Sequence, residues 1–115
     1  MGTHVAPWRK IIQEQLELLA SEAEQLEYEA NVPHVDVTSE LVAGWFSDSY
    51  HPNDAKFAGC FSDAELHALG NFNRQFDAAL NVLPQSMGSV RNWLCNSEWR
   101  GVMNGAAQAR SQIAG

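Results

Sequence analysis

Positive charge is what this chain has least of. Seven Lys and Arg stand against fourteen Asp and Glu, for a formal net charge of −7 and a pI near 4.9. That scarcity excludes the basic stripe on which nucleic-acid binding depends, so no nucleic acid partner is expected. Long apolar runs are missing too. The longest, Leu41–Phe46, is six residues, against the roughly 20 that span a bilayer. No charged-then-apolar leader opens the chain, and Ala6 stands where a myristoylation signal needs Ser or Thr. The expectation is a cytoplasmic protein without a membrane segment.

Cysteine is nearly absent. Cys60 and Cys95 form no CxxC pair, and both sit in apolar sequence surroundings, so they read as buried, reduced thiols. A bridge between them is expected only in an exported protein. No Gly-rich phosphate loop and no Ser/His/Asp arrangement is recognisable, so neither catalytic residues nor a cofactor is expected. There is also no convincing strand, no internal repeat and no low-complexity stretch. With 115 residues, the chain fits one domain, residues 1–6 reading as a flexible N-terminus.

What the chain has is helical pattern and acid. In the first long helix Ile12, Leu16, Leu19, Ala23, Leu26 and Ala30 recur at spacings of four and three, an amphipathic stripe. Pro7 suits its first turn, and Asn31 with Pro33 ends it. Glutamates fill the other face. A second helix is expected from a Thr38 cap, with Glu40 in its first turn and Leu41, Val42, Trp45 and Phe46 on its apolar side. His51-Pro52-Asn53-Asp54 marks a turn, followed by loop to about Gly59.

The best start signal is Ser62-Asp63-Ala64-Glu65, a capping box, with Phe61 placed to staple onto Leu66. Leu66, Leu69, Phe72, Phe76, Leu80 and Leu83 give that helix its buried face, and Pro84 stops it. Val90, Trp93 and Leu94 mark a short helical piece. Ser97 then caps a last helix burying Trp99, Val102, Met103, Ala106 and Ile113. Gly101-x-x-x-Gly105 permits a close helix approach. The sum is an all-α bundle of about four to five helices with a long amphipathic N-terminal helix, in which short loops favour antiparallel neighbours.

The charge is segregated along the chain. Residues 11–66 hold twelve carboxylates against Lys56 alone, a formal charge of −11. A one-sided field attracts cationic partners and speeds their docking. The first helix has no lysine between its glutamates to relieve their repulsion, and the self-repulsion is easier to explain if the field is used.

The leading expectation is therefore a small acidic module that captures a basic protein partner. The candidate binding residues are Glu14, Glu17, Glu24, Glu27, Asp36, Asp48 and Asp54, with Tyr50 as an aromatic anchor. Tyr50 and Trp8 are the aromatics expected at the surface. Immunity proteins and nuclease inhibitors share this physical type, and inhibition of a toxin or nuclease is the form such capture would take. The alternative is a structural or assembly protein that forms a homo-oligomer through the apolar stripe of the first helix. The third reading is a small metal-binding enzyme built on His34, Asp36, Asp48, His51 and Asp54, whose spacing matches no established ligand signature.

Overall fold

The computed structural model describes residues 8–32, 35–83 and 89–113. Pro7, Pro33, Pro84 and the N-terminal segment 1–6 lie outside them, and so do the roles expected of those residues. The described residues form seven α-helices and no strand: α1 (Trp8–Ala20), α2 (Glu22–Asn31), α3 (Val37–Ala43), α4 (Ala55–Ala58), α5 (Asp63–Leu80), α6 (Val90–Leu94) and α7 (Ser97–Gln112). The all-α class holds, but seven helices replace the expected four to five. A π-helical turn, Gly44–Ser49, continues α3, and Tyr50 N–H donates five residues back to the Trp45 carbonyl at 3.0 Å.

The main departure from the expected pattern is that the long first helix is two helices. Ser21 ends one and starts the other, its hydroxyl accepting from Glu24 N–H at 3.1 Å. A helix end leaves carbonyls without intrahelical partners. Here Gln25 supplies them: its amide nitrogen donates to the carbonyls of Leu18 (3.1 Å) and Leu19 (3.0 Å). Its amide oxygen accepts from the Trp99 indole of α7 at 3.1 Å. Gln25 is fully buried and both ends of its amide are bonded. The apolar stripe accordingly stops at the break. Ile12, Leu16 and Leu19 are buried, whereas Ala23 and Ala30 are exposed and Leu26 is only half-buried.

Six of the seven helices begin with a side-chain cap: Ser21, Asp36, Asp54, Ser62, Ser89 and Asn96. The capping box at Ser62 is present as expected, with Glu65 reaching back to Ser62 N–H at 2.9 Å. Thr38 and Ser97 are not caps. Asp36 and Asn96 do that work, and Asn96 accepts from both Glu98 and Trp99 N–H. The loop expected between Asp54 and Gly59 contains α4.

Glu65 also receives the Arg9 guanidinium in a two-pronged contact, at 2.8 and 3.0 Å. Arg9 donates as well to the Cys60 carbonyl and lies over the Phe61 ring. One carboxylate therefore starts α5 and holds the beginning of α1. Phe61 is buried and packs on Phe57.

α7 is the middle of the bundle. It packs on α1 along one side and α5 along the other, so the chain's two ends meet rather than sequence neighbours. Arg110 pairs with Glu17 and Arg100 with Glu22; the numbers run in opposite senses, so α7 is antiparallel to α1. On the α5 side Gln75 donates to the Gly101 carbonyl at 2.8 Å, and its amide lies where a Gly105 Cβ would stand. The close approach expected of the two glycines is thus made by α5. Trp45, Phe57, Phe72, Phe76 and Trp99 fill the interior.

The cysteines depart from expectation. Both are free, but Cys95 is exposed and Cys60 only half-buried, because each follows a short helix at the molecular edge.

Two substitutions test these ties. Gln25→Leu leaves two carbonyls and an indole N–H unpaired in the core, and we expect a loss of about 3 kcal/mol or more in urea denaturation. A midpoint equal to the parent's would show that Gln25 does not hold the break. Glu65→Ala removes both the cap and the Arg9 contact, so its cost, about 1.5–3 kcal/mol, should exceed that of Ser62→Ala, near ~1 kcal/mol. Equal losses would mean that Arg9 adds nothing.

Candidate protein-docking surface

The helix break decides what the glutamates can do. Glu14 and Leu18 lie one turn apart on α1. Glu24, Glu27, Tyr28 and Asn31 recur at spacings of three and four along one face of α2. The corner at Ser21 brings these two faces together, and the six residues line a groove of about 370 Å³. Glu14, Glu24 and Glu27 are exposed and pair with no cation among the described residues.

Their neighbours are occupied. Glu17 accepts from Arg110 at 2.8 Å and Glu22 from Arg100 at 2.6 Å. Glu29 accepts from Val90 N–H at 2.9 Å, which explains an acid near the C-terminal end of α2: it serves the start of α6. Arginines distant in sequence thus neutralise part of the acidic half, and the groove keeps the remainder.

The other candidate residues do not join this group. Asp36 is the cap of α3, accepting from the Thr38 hydroxyl (2.8 Å), the Ser39 hydroxyl (2.9 Å) and Ser39 N–H. Those bonds, Thr38's first, hold its carboxyl below the usual value of 3.8. Asp54 caps α4 through Lys56 N–H at 2.8 Å. Asp48 is exposed on the π-helical turn.

The two aromatics expected at the surface are half-buried. Tyr50 stacks on Trp45 with centroids 5.0 Å apart and meets Phe57 edge-on. Burial pushes its phenol above the ordinary value of 10.0, against the opposing charge of Arg74. Trp8 packs on His51 and Phe57. The aromatic that lines the groove is Tyr28, which sequence reasoning missed. Its only signal is the spacing of four from Glu24, which means something only once the break at Ser21 is known.

The residues weighed as metal ligands are not gathered. His34 lies outside the described residues, His51 faces Trp8, and Asp36 and Asp54 cap separate helices. Among the described residues no group of three or more His, Cys, Asp or Glu is placed to hold a metal ion. No helix of the described residues is long and apolar enough to cross a membrane. Compared with protein-family models, curated proteins and solved structures, the chain has no significant match.

The Asp36 cap has a pH signature. Its carboxyl is lowered on folding, so the stability it contributes is present above the unfolded value and is lost as pH falls through the folded one. Asp36→Ala should therefore be less stable than the parent at pH 7, by about 0.5–2 kcal/mol. The gap should close below about pH 4. A gap that persists at pH 2 in paired denaturation curves would contradict the assignment.

Proposed function

We propose that this chain is a non-enzymatic protein-binding module that captures a basic protein partner in the groove between α1 and α2. The observation that carries the reading is the contrast on one acidic surface. Glu17, Glu22 and Glu29 have partners within the fold, while Glu14, Glu24 and Glu27 converge without one. Three like charges in one groove repel each other, and a cationic side chain relieves that repulsion on binding. Leu18 and Tyr28 line the same groove, giving apolar contact for the stem of a Lys or Arg and a ring face for its charge.

A toxin or nuclease inhibitor of the immunity type is the specific form we favour, acting in the cytoplasm. On such an enzyme the carboxylates would occupy positions that substrate phosphates otherwise fill. Self-association through α1 has no observation in its favour, since Ile12, Leu16 and Leu19 are all 0% exposed beneath the bundle.

The test begins with the protein captured from native lysate and proceeds to its binding kinetics. Raising ionic strength from 0.01 to 0.15 M shortens the Debye length from about 30 to about 8 Å, so the on-rate should fall steeply. The triple variant Glu14→Gln, Glu24→Gln, Glu27→Gln should lower the on-rate by roughly tenfold at low salt. The control pair Asp77→Asn, Glu98→Gln, on α5 and α7, should change it little. Glutamine is preferable to lysine because Glu24 lies in the first turn of α2, where a cation opposes the helix dipole. Kinetics indifferent to salt and to the triple change would refute the proposal.

A further inference from the structure

A second site lies away from the acidic groove. Val42 and Ala43 of α3, Phe46 of the π-helical turn, Leu80 and Leu83 at the end of α5, and Trp93 of α6 surround a cavity of about 370 Å³. Thr38, Ser39 and Ser47 complete its wall, and no charged side chain lines it. The volume falls within the range of small-molecule sites, which are largely apolar with a few placed polar groups. A π-helical turn on one wall is a feature that recurs at functional sites.

The decisive feature is one hydrogen. Three tryptophans are buried among the described residues. Trp45 donates its indole N–H to Asn73 at 3.0 Å, and Trp99 donates to Gln25 at 3.1 Å. Trp93 is only 5% exposed, yet its Nε1–H has no acceptor. A buried unpaired donor is costly, and native proteins hold few of them. The ring is not free to turn away, because it packs on Trp99 with centroids 4.3 Å apart. The Thr38 and Ser39 hydroxyls already donate to Asp36.

We propose that this cavity binds a neutral, mainly apolar small molecule carrying one hydrogen-bond acceptor, which the Trp93 indole N–H donates to. An anionic ligand fits poorly: the lining offers no cation, and the chain is itself an anion of −7. A ketone, ester or amide on a ring-sized apolar body matches the volume, the apolar wall and the single donor.

The test uses 6-propionyl-2-dimethylaminonaphthalene, a neutral naphthyl ketone whose emission reports polarity and hydrogen bonding at its carbonyl. Its 6-propyl analogue, which lacks the acceptor, serves as comparison. Both should bind saturably at one site per chain. Trp93→Phe should weaken the ketone about tenfold, the equivalent of ~1.4 kcal/mol, and leave the analogue unchanged. Ala43→Phe, which fills the cavity from a half-exposed wall position, should abolish both. The ketone, but not the analogue, should shift the Trp93 indole 15N–1H resonance downfield, that peak being the one absent from Trp93→Phe. Absence of saturable binding, or binding that survives Ala43→Phe, would overturn the site. Equal weakening of both probes by Trp93→Phe would overturn the hydrogen bond.

Discussion

Gln25 holds three parts of this protein together with one amide. Its nitrogen satisfies the carbonyls that α1 leaves open at Leu18 and Leu19, and its oxygen receives the Trp99 indole from α7. Everything around it follows from the need to leave no buried polar group unpaired. The helix can stop at Ala20 only because its last carbonyls are met, and they are met only because α2 turns back under them. The same bond sets Trp99 against Phe76 and Trp93 in the middle of the core. One polar side chain with no exposure thereby fixes both the corner and the helix packed across it.

The corner in turn determines the electrostatics. Had α1 and α2 been one rod, Glu14 and Glu24 would be separated by nearly three turns, about 15 Å of helix. Folded at Ser21, they share a groove with Glu27. The arginines of α7 then reach Glu17 and Glu22 along the outside of the same corner. Exposed pairs of this kind contribute little to stability, about 0–1 kcal/mol each. Their larger effect is on the field, because they leave one patch of the acidic half uncompensated and cover the rest. Arg9 and Glu65 differ in kind: the carboxylate is buried and doubly bonded, so that pair positions α1 on the start of α5.

Several elements are legible in the amino-acid sequence. The Ser62–Glu65 box announces α5 because its reciprocal bonds are local and its residues are diagnostic. The apolar spacings of α5 and α7 identify Leu69, Phe72, Phe76, Trp99, Val102, Met103 and Ala106 as core. The caps of α3 and α7 stand one or two residues from where the sequence suggests them. Asp36, Thr38 and Ser39, or Asn96 and Ser97, are all competent there, and local preference does not choose. Cys60 and Cys95 read as buried from their neighbours in sequence, but each follows the last turn of a short helix at the edge. The docking candidates separate for a similar reason. Charge is readable residue by residue, whereas whether Asp36, Asp54 or Glu29 is engaged by a backbone N–H depends on where helices begin.

The sequence by itself determined the class of fold, the single acidic half, the strongest helix start and most of the apolar faces. These rest on periodicity, composition and bonds between residues a few positions apart. The tertiary structure alone decided that α7 lies between α1 and α5 and that the first helix breaks at Ser21. It also decided which three glutamates stay unpaired and that Trp93 faces a cavity without an acceptor. Each of those depends on contacts between residues far apart in the chain, Gln25 with Trp99 or Glu17 with Arg110. Such contacts leave no local pattern, because nothing in an isolated helix distinguishes a glutamine at its surface from one that will end its neighbour.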